Sequence, residues 1–185
     1  MTAATSTVLP ELTTGTWNID PGHSDVGFTV RHLMSKVRGS FSEFSGQVTI
    51  ADELTASSAT AEITIGSVDT RNEQRDGHLR SAEILDAERY PVMTFQATGV
   101  RADGTDYVVT GDLTIRDVTR PVELAVEFNG VGTDPWGGTR AGFSARTQLS
   151  RKDFGIDFNI PLEGDKVLLG DKIDINLEIQ AVHQA

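Results

Sequence analysis

Cysteine is absent from the chain, which removes disulfides, a thiolate nucleophile and every cysteine-ligated zinc or iron–sulfur centre. Basic side chains are scarce: 16 lysines and arginines stand against 27 aspartates and glutamates, a net charge of −11. That balance repels phosphate backbones and anionic membrane faces at long range, so nucleic acid is not an expected partner. Long apolar runs are missing too. Nothing approaches the roughly 20 consecutive apolar residues of a membrane-spanning helix, and "MTAATSTVLPELTTG" has neither the basic start nor the apolar stretch of a secretory signal. The expectation is a cytoplasmic protein with no integral membrane segment, which has to handle any lipid in soluble form.

The 185 residues suit one domain, a size at which folding buries roughly 70% of the chain's surface. Residues 1–14, rich in Thr and Ala, with Pro10 and no periodicity, read as a flexible tail, and residues 15–185 as the domain. From Trp17 onward the dominant pattern is alternation with period two, the mark of strands with one buried face. Val26, Phe28 and Val30 share a parity with His32; Phe44, Gly46, Val48 and Ile50 form the next set, then Ala59, Ala61, Ile63 and Ile65. Met93, Phe95 and Ala97 follow, then Tyr107 to Ile115, Val122 to Phe128, and Ala141 to Leu149. The clearest run is the last, where Ile173, Ile175, Leu177 and Ile179 alternate with Asp174, Asn176, Glu178 and Gln180.

About eight such runs separated by Gly, Asp, Asn and Pro turns predict an all-β fold, an antiparallel sheet closed into a barrel. One stretch, "TRNEQRDGHLRSAEILDAERYP", lacks alternation and carries helix formers between Thr70 and Pro91, so it predicts a single helix and turn over a barrel end. Small residues on the inward parity, among them Ala59, Ala61, Ala97, Gly111, Ala141 and Ala145, suit either a cavity or interdigitation with larger neighbours.

The motifs that would carry chemistry are weak. His23 and His32 are nine positions apart, so an unbroken strand puts them on opposite faces, and no metal-binding spacing occurs; no metal site is assigned. "GHSDVG" sets His23, Ser24 and Asp25 side by side rather than as a triad, and "KDFG" lacks every other part of a kinase. No catalytic residue is assigned, and Phe154 and Gly155 are read as shaping a strand end and rim. Arg71, Arg75, His78, Arg80 and Arg89 form either a solvated helix face, with local ion pairs to Glu73, Asp76 and Glu83, or a cationic rim facing a polar ligand head.

The blocks "WNIDPGHSDVGFTVRHLMSKVRGSFSEFSG", "RDGHLRSAEILDAERYPVMTF", "GDLTIRDVTRPVEL" and "LSRKDFGI" resemble the YceI-like family, the polyisoprenoid-binding, lipocalin-like YceI proteins, in order and spacing from about Gly15 onward. The resemblance implies an extended eight-stranded antiparallel lipocalin-like barrel with a helix near one end, an apolar lumen for a polyisoprenoid or similar lipid tail, and a homodimer. Many members are secreted to the periplasm, whereas this chain shows no leader. "AEILD" stands where the family commonly has an aromatic residue, which implies a differently packed corner between helix and strand.

These readings together describe a binding or carrier protein rather than an enzyme. It requires no cofactor, its partner is a hydrophobic small molecule, and its bound species is a polyisoprenoid or other long-chain lipid. The expected lumen contacts are Phe28, Val30, Phe44, Val48, Ile63, Met93, Phe95, Leu113, Val126, Phe143, Ile175 and Leu177, with His32, His78 and Arg80 orienting a polar head. Two alternatives stay open: a general acid/base enzyme using His32 or His78 on a bound amphiphile, and a ligand-free barrel packed solid.

Overall fold

A computed structural model of the chain describes residues 12–164 and 166–184. Its strands are β1 (Gly15–Ile19), β2 (Asp25–His32), β3 (Ser35–Phe41), β4 (Phe44–Ile50), β5 (Ser58–Thr64), β6 (Val68–Asp69), β7 (Val92–Asp103), β8 (Asp106–Ile115), β9 (Val118–Thr133), β10 (Thr139–Ser150) and β11 (Leu169–His183), with one α-helix, α1 (Glu73–Arg80). All pairings are antiparallel, and the order β1-β4-β5-β7-β8-β9-β10-β11 returns to β1, which closes a ring of eight.

The eleven strands follow eight paths. β1 and β2 lie end to end along one edge of β11, with Trp17 opposite His183 and Val26 opposite Leu177. Between them the chain makes a short 3₁₀ turn, Pro21–His23, where the Asp20 side chain accepts from Gly22 N and Pro21 suits a first helical position. β3 and β4 run in one direction across a bend at Ser42 and Glu43, pairing with β2 and β1 respectively. β5 and β6 are separated by the 3₁₀ turn Ile65–Ser67. Each path contains one of the eight alternating runs; β1, β3 and β6 are the halves that the alternation did not mark.

The interior differs between middle and ends. Along the middle of the strands, inward side chains such as Val26, Phe28, Phe44, Val48 and Ile175 are only half-buried, which is how side chains facing an empty space differ from those in a packed core. The fully buried residues gather at the ends. Leu12, Trp17, Ile50, Ala141 and Ala181 pack at one. At the other, Ile84, Ile115, Leu149, Phe154 and Ile156 form one cluster, and Phe41, Ile63, Ile65 and Val68 another. The solid-barrel alternative is therefore corrected: the ends are filled and the middle is hollow.

α1 and its following turn cover the second end, with Leu79 and Leu85 packed against both of its clusters. The helix is short, and its first turn is fixed by Asn72, whose side chain accepts from Arg75 N at 2.9 Å. Of the stretch read as a flexible tail, residues 1–11 lie outside the described residues. Leu12 is buried beside Trp17, and Thr13 O accepts from the Trp17 indole at 2.9 Å, so Leu12 and Thr13 pack with the barrel.

Candidate functional site

The alternation of β2, β4, β5 and β7–β11 turns one row of side chains per strand toward a common axis. Because the ring is closed, these rows surround a cavity of about 360 Å³ with almost wholly apolar walls. That volume lies at the lower end of the range of small-molecule sites, roughly 300–1,000 Å³. All twelve residues expected as lumen contacts line it: Phe28, Val30, Phe44, Val48, Ile63, Met93, Phe95, Leu113, Val126, Phe143, Ile175 and Leu177.

The small inward residues divide into two groups. Ala59, Ala61 and Ala145 border the cavity. At Gly111 the Phe95 ring occupies the place of a Cβ, and at Gly39 the Phe28 ring does the same. Open space and interdigitation thus coexist on one parity.

His32, His78 and Arg80 do not line the cavity. His32 ends β2, opposite Ser35 and Leu169. His78 Nε2 pairs with Glu83 Oε2 at 2.7 Å, and its ring meets Phe158 edge-on with centroids 4.7 Å apart. Arg80 donates to the carbonyls of Gly66 at 3.1 Å and Val68 at 3.4 Å. Arg75 Nε and Nη2 donate to Thr70 Oγ1 and Thr70 O, each at 2.7 Å. Of the carboxylates expected to pair along the helix, Asp76 turns inward and accepts from Thr70 N at 2.9 Å and Thr70 Oγ1 at 2.5 Å. Arg75 and Arg80 thus tie α1 to the sheet beneath it.

Several lining residues were not anticipated. Leu79, Ile84 and Leu85 come from α1 and its following turn, the last two from the "AEILD" stretch, and Ile156 comes from the connection after β10. No period-two rule reaches them. Val100 lines the cavity because β7 shifts register between Ala97 and Gly99, which moves the inward parity from odd to even.

Arg151 is the one charged lining residue among those described, and it is 5% exposed. Its position continues the inward parity of Ala145, Thr147 and Leu149, a signal available in the sequence. Nε donates to Gly170 O at 2.9 Å, and Nη1 donates to Ile156 O at 3.1 Å and Phe158 O at 3.0 Å. Burial pushes the guanidinium pKa down, opposed by the charges of Asp171 and Asp157. Phe154 is buried and Gly155 adopts φ 72° at the end of the following 3₁₀ turn, so "KDFG" shapes the strand end as its sequence context predicted.

Among the described residues, no cluster of three or more His, Asp or Glu side chains is arranged to hold a metal ion. No helix among them is long and apolar enough to cross a membrane.

Known proteins share this architecture. The protein YceI of Escherichia coli O17:K52:H18 (strain UMN026 / ExPEC) is 40% identical over 165 residues, covering 88% of this chain and 83% of its own. The Campylobacter jejuni YceI crystal structure superposes with a TM-score of 0.69 at 31% identity, covering 90% of this chain and 96% of the other. A polyisoprenoid binding domain from Saccharophagus degradans, 15% identical, has the same fold, with a TM-score of 0.70 and coverage of 93% and 100%. Residues 17–181, nearly the whole ring from Trp17 to Ala181, match the YceI-like domain, and the chain belongs to that family.

Proposed function

We propose that the protein binds a polyisoprenoid or similar apolar chain in the barrel lumen and carries or stores it away from water. The observation behind this reading is the hollow middle of a ring whose ends are packed, with walls almost free of polar groups. Burying an alkyl chain there contributes about 0.8 kcal/mol per methylene before ordering costs are subtracted. Support also comes from the Saccharophagus degradans relative of the same fold, described as a polyisoprenoid binding domain. The acid/base alternative requires a histidine within reach of the bound chain, and no histidine among the described residues lines the cavity. A homodimer with no resident cofactor completes the proposal, and light scattering reads the oligomeric state.

Apolar cavities of about 150 Å³ hold one benzene; by proportion, this lumen holds roughly fifteen carbons, or three isoprene units. Farnesol is therefore a suitable probe. Ala145 borders the lumen from β10, so Ala145→Phe places a phenyl group where the chain would lie. Displacing about two methylenes weakens farnesol binding by roughly tenfold, while circular dichroism and thermal unfolding report a folded barrel. Unchanged affinity in the folded variant, or no binding by the wild type in calorimetry and native mass spectrometry, overturns the reading.

A further inference from the structure

The turn between β2 and β3 is built against two local preferences. Leu33 has φ 55°, in the left-handed region that hairpin turns ordinarily fill with Gly, Asn or Asp. Leu33 is also 47% exposed and Met34 100% exposed. Strain and exposed apolar surface both cost stability, and they persist where a surface has a use. The turn does not stand alone. Leu33 N donates to Leu168 O at 2.8 Å and Leu168 N to Ile160 O at 2.9 Å, which places the segment carrying the exposed Ile160 and Val167 beside it. Four of the five exposed large apolar residues among those described therefore lie at the end covered by α1. The fifth, Trp136, lies in the turn between β9 and β10, at the end closed by the Trp17 cluster.

The charge beside the turn is of one sign. Residues 26–42 hold no acidic side chain, in a chain that has 27. Val30 lines the lumen and pairs with Val37, so Arg31, Lys36 and Arg38 take the outer parity. All three are exposed, and none belongs to an ion pair among the described residues. Residues 160–168 add Glu163 and Asp165 against Lys166, so the cationic side of this tip is the hairpin.

We propose that the tip docks on a bilayer containing anionic lipid, with Leu33 and Met34 entering the interface and Arg31, Lys36 and Arg38 meeting the headgroups. Exposed apolar side chains flanked by cations suit that partner. The net charge of −11 repels the rest of the molecule from such a surface and so turns the tip toward it. A second copy fits less well, because two-fold pairing through this patch brings the three cations of each copy together. Val30 and Leu169 line the lumen close behind the turn, with Leu169 opposite His32. Docking goes beyond the lumen reading and does not depend on it; it supplies the side from which an apolar chain would be exchanged.

The test exploits the absence of cysteine: Met34→Cys takes a single environment-sensitive fluorophore, and Trp136→Cys is the matched control at the far end. With phosphatidylcholine vesicles containing about 30% phosphatidylglycerol at low salt, the label at position 34 should brighten and shift to the blue, and that at 136 should not change. In flotation the unlabelled wild type should bind these vesicles. Lys36→Glu combined with Arg38→Glu should weaken binding by at least about 25-fold, roughly fivefold per cation lost, and Met34→Ser by about tenfold. These positions are exposed and outside the lumen, so circular dichroism and farnesol affinity should stay as in the wild type. No vesicle binding, equal binding to pure phosphatidylcholine, or equal responses at 34 and 136 overturns the docking and leaves the lumen reading intact. A wild-type dimer that Met34→Ser dissociates, without vesicle binding, also overturns it and assigns the patch to a second copy. Vesicle binding without farnesol binding upholds the docking and overturns the lumen reading alone.

Discussion

At Gly46 the Thr60 carbonyl oxygen stands 2.6 Å, and Ile19 Cδ1 2.7 Å, from where a Cβ would sit. The oxygen belongs to the neighbouring strand's backbone and cannot swing aside, so Gly46→Ala should destabilise the barrel by about 1–3 kcal/mol, read as a lower urea midpoint. Alternation assigned Gly46 to the inward face but could not reveal what lies above it, because cover at a glycine is a property of its neighbours across the sheet. The same limit applies to the polar residues. The inward direction of twelve apolar residues followed from parity, since water exclusion acts on each of them independently of partners, whereas the lumen they face was implied by the family resemblance. The places of His78 and Arg80 depend on which carbonyl or carboxylate the fold brings within reach, and that information is not local in the sequence. Arg151 is an instructive miss: parity pointed it inward, yet an arginine at a strand end ordinarily reads as solvated.

The bent paths are the unit at which elements have to be understood. β1 with β2, β3 with β4 and β5 with β6 each turn a corner of the barrel through a short 3₁₀ turn or bend. The alternation is read on one half of each of these paths: β1 offers only Trp17 and Ile19 on its inward row, β3 only Val37 and Phe41 as large apolar residues, and β6 is two residues long, so these three strands do not stand out. The break between β1 and β2 is pinned from across the barrel wall. Arg140 on β10 donates from Nη1 to Asp20 Oδ2 at 2.6 Å and from Nε to Asp134 Oδ2 at 2.8 Å, and His23 Nδ1 lies 2.8 Å from the same Asp20 oxygen. The Arg140 hydrogen bond, followed by that of His23, lowers the Asp20 pKa from 3.8 to about 2. A depressed carboxylate pKa stabilises the fold above the unfolded value and ceases to do so as pH falls through the folded one. The gap in stability between wild type and Arg140→Met should therefore be full at pH 6 and narrow as pH falls from about 4 toward 2. Urea titrations across that window measure it, and a pH-independent gap would remove Asp20 from the account.

Across the whole molecule, closed ends and a hollow middle set a length scale for the ligand. Affinity should rise along a prenol series to roughly three isoprene units, as each added methylene contributes about 0.8 kcal/mol gross, and then level off as further carbons meet Trp17 and its cluster at one end or the covered end at the other. At 100 times its Kd, a fitting chain should stabilise the protein by about 2.7 kcal/mol, or roughly 5–11 °C in Tm for a chain of this size. Thermal scans across the series measure both effects, and a monotonic rise well beyond three units would show that an end opens.

The seam between β1 and β11 has a consequence in time as well as in space. Trp17 is paired with His183 and Gln184 N donates to Thr16 O, so a ribosome makes one side of the seam at the start of the barrel and the other side last. Until β11 has left the exit tunnel, β10 and the path of β1 and β2 lack the strand that joins them, and unpaired strand edges invite pairing with other chains. The ring of strands, and with it a protected interior, is complete only once β11 is in place between β10 and the path of β1 and β2.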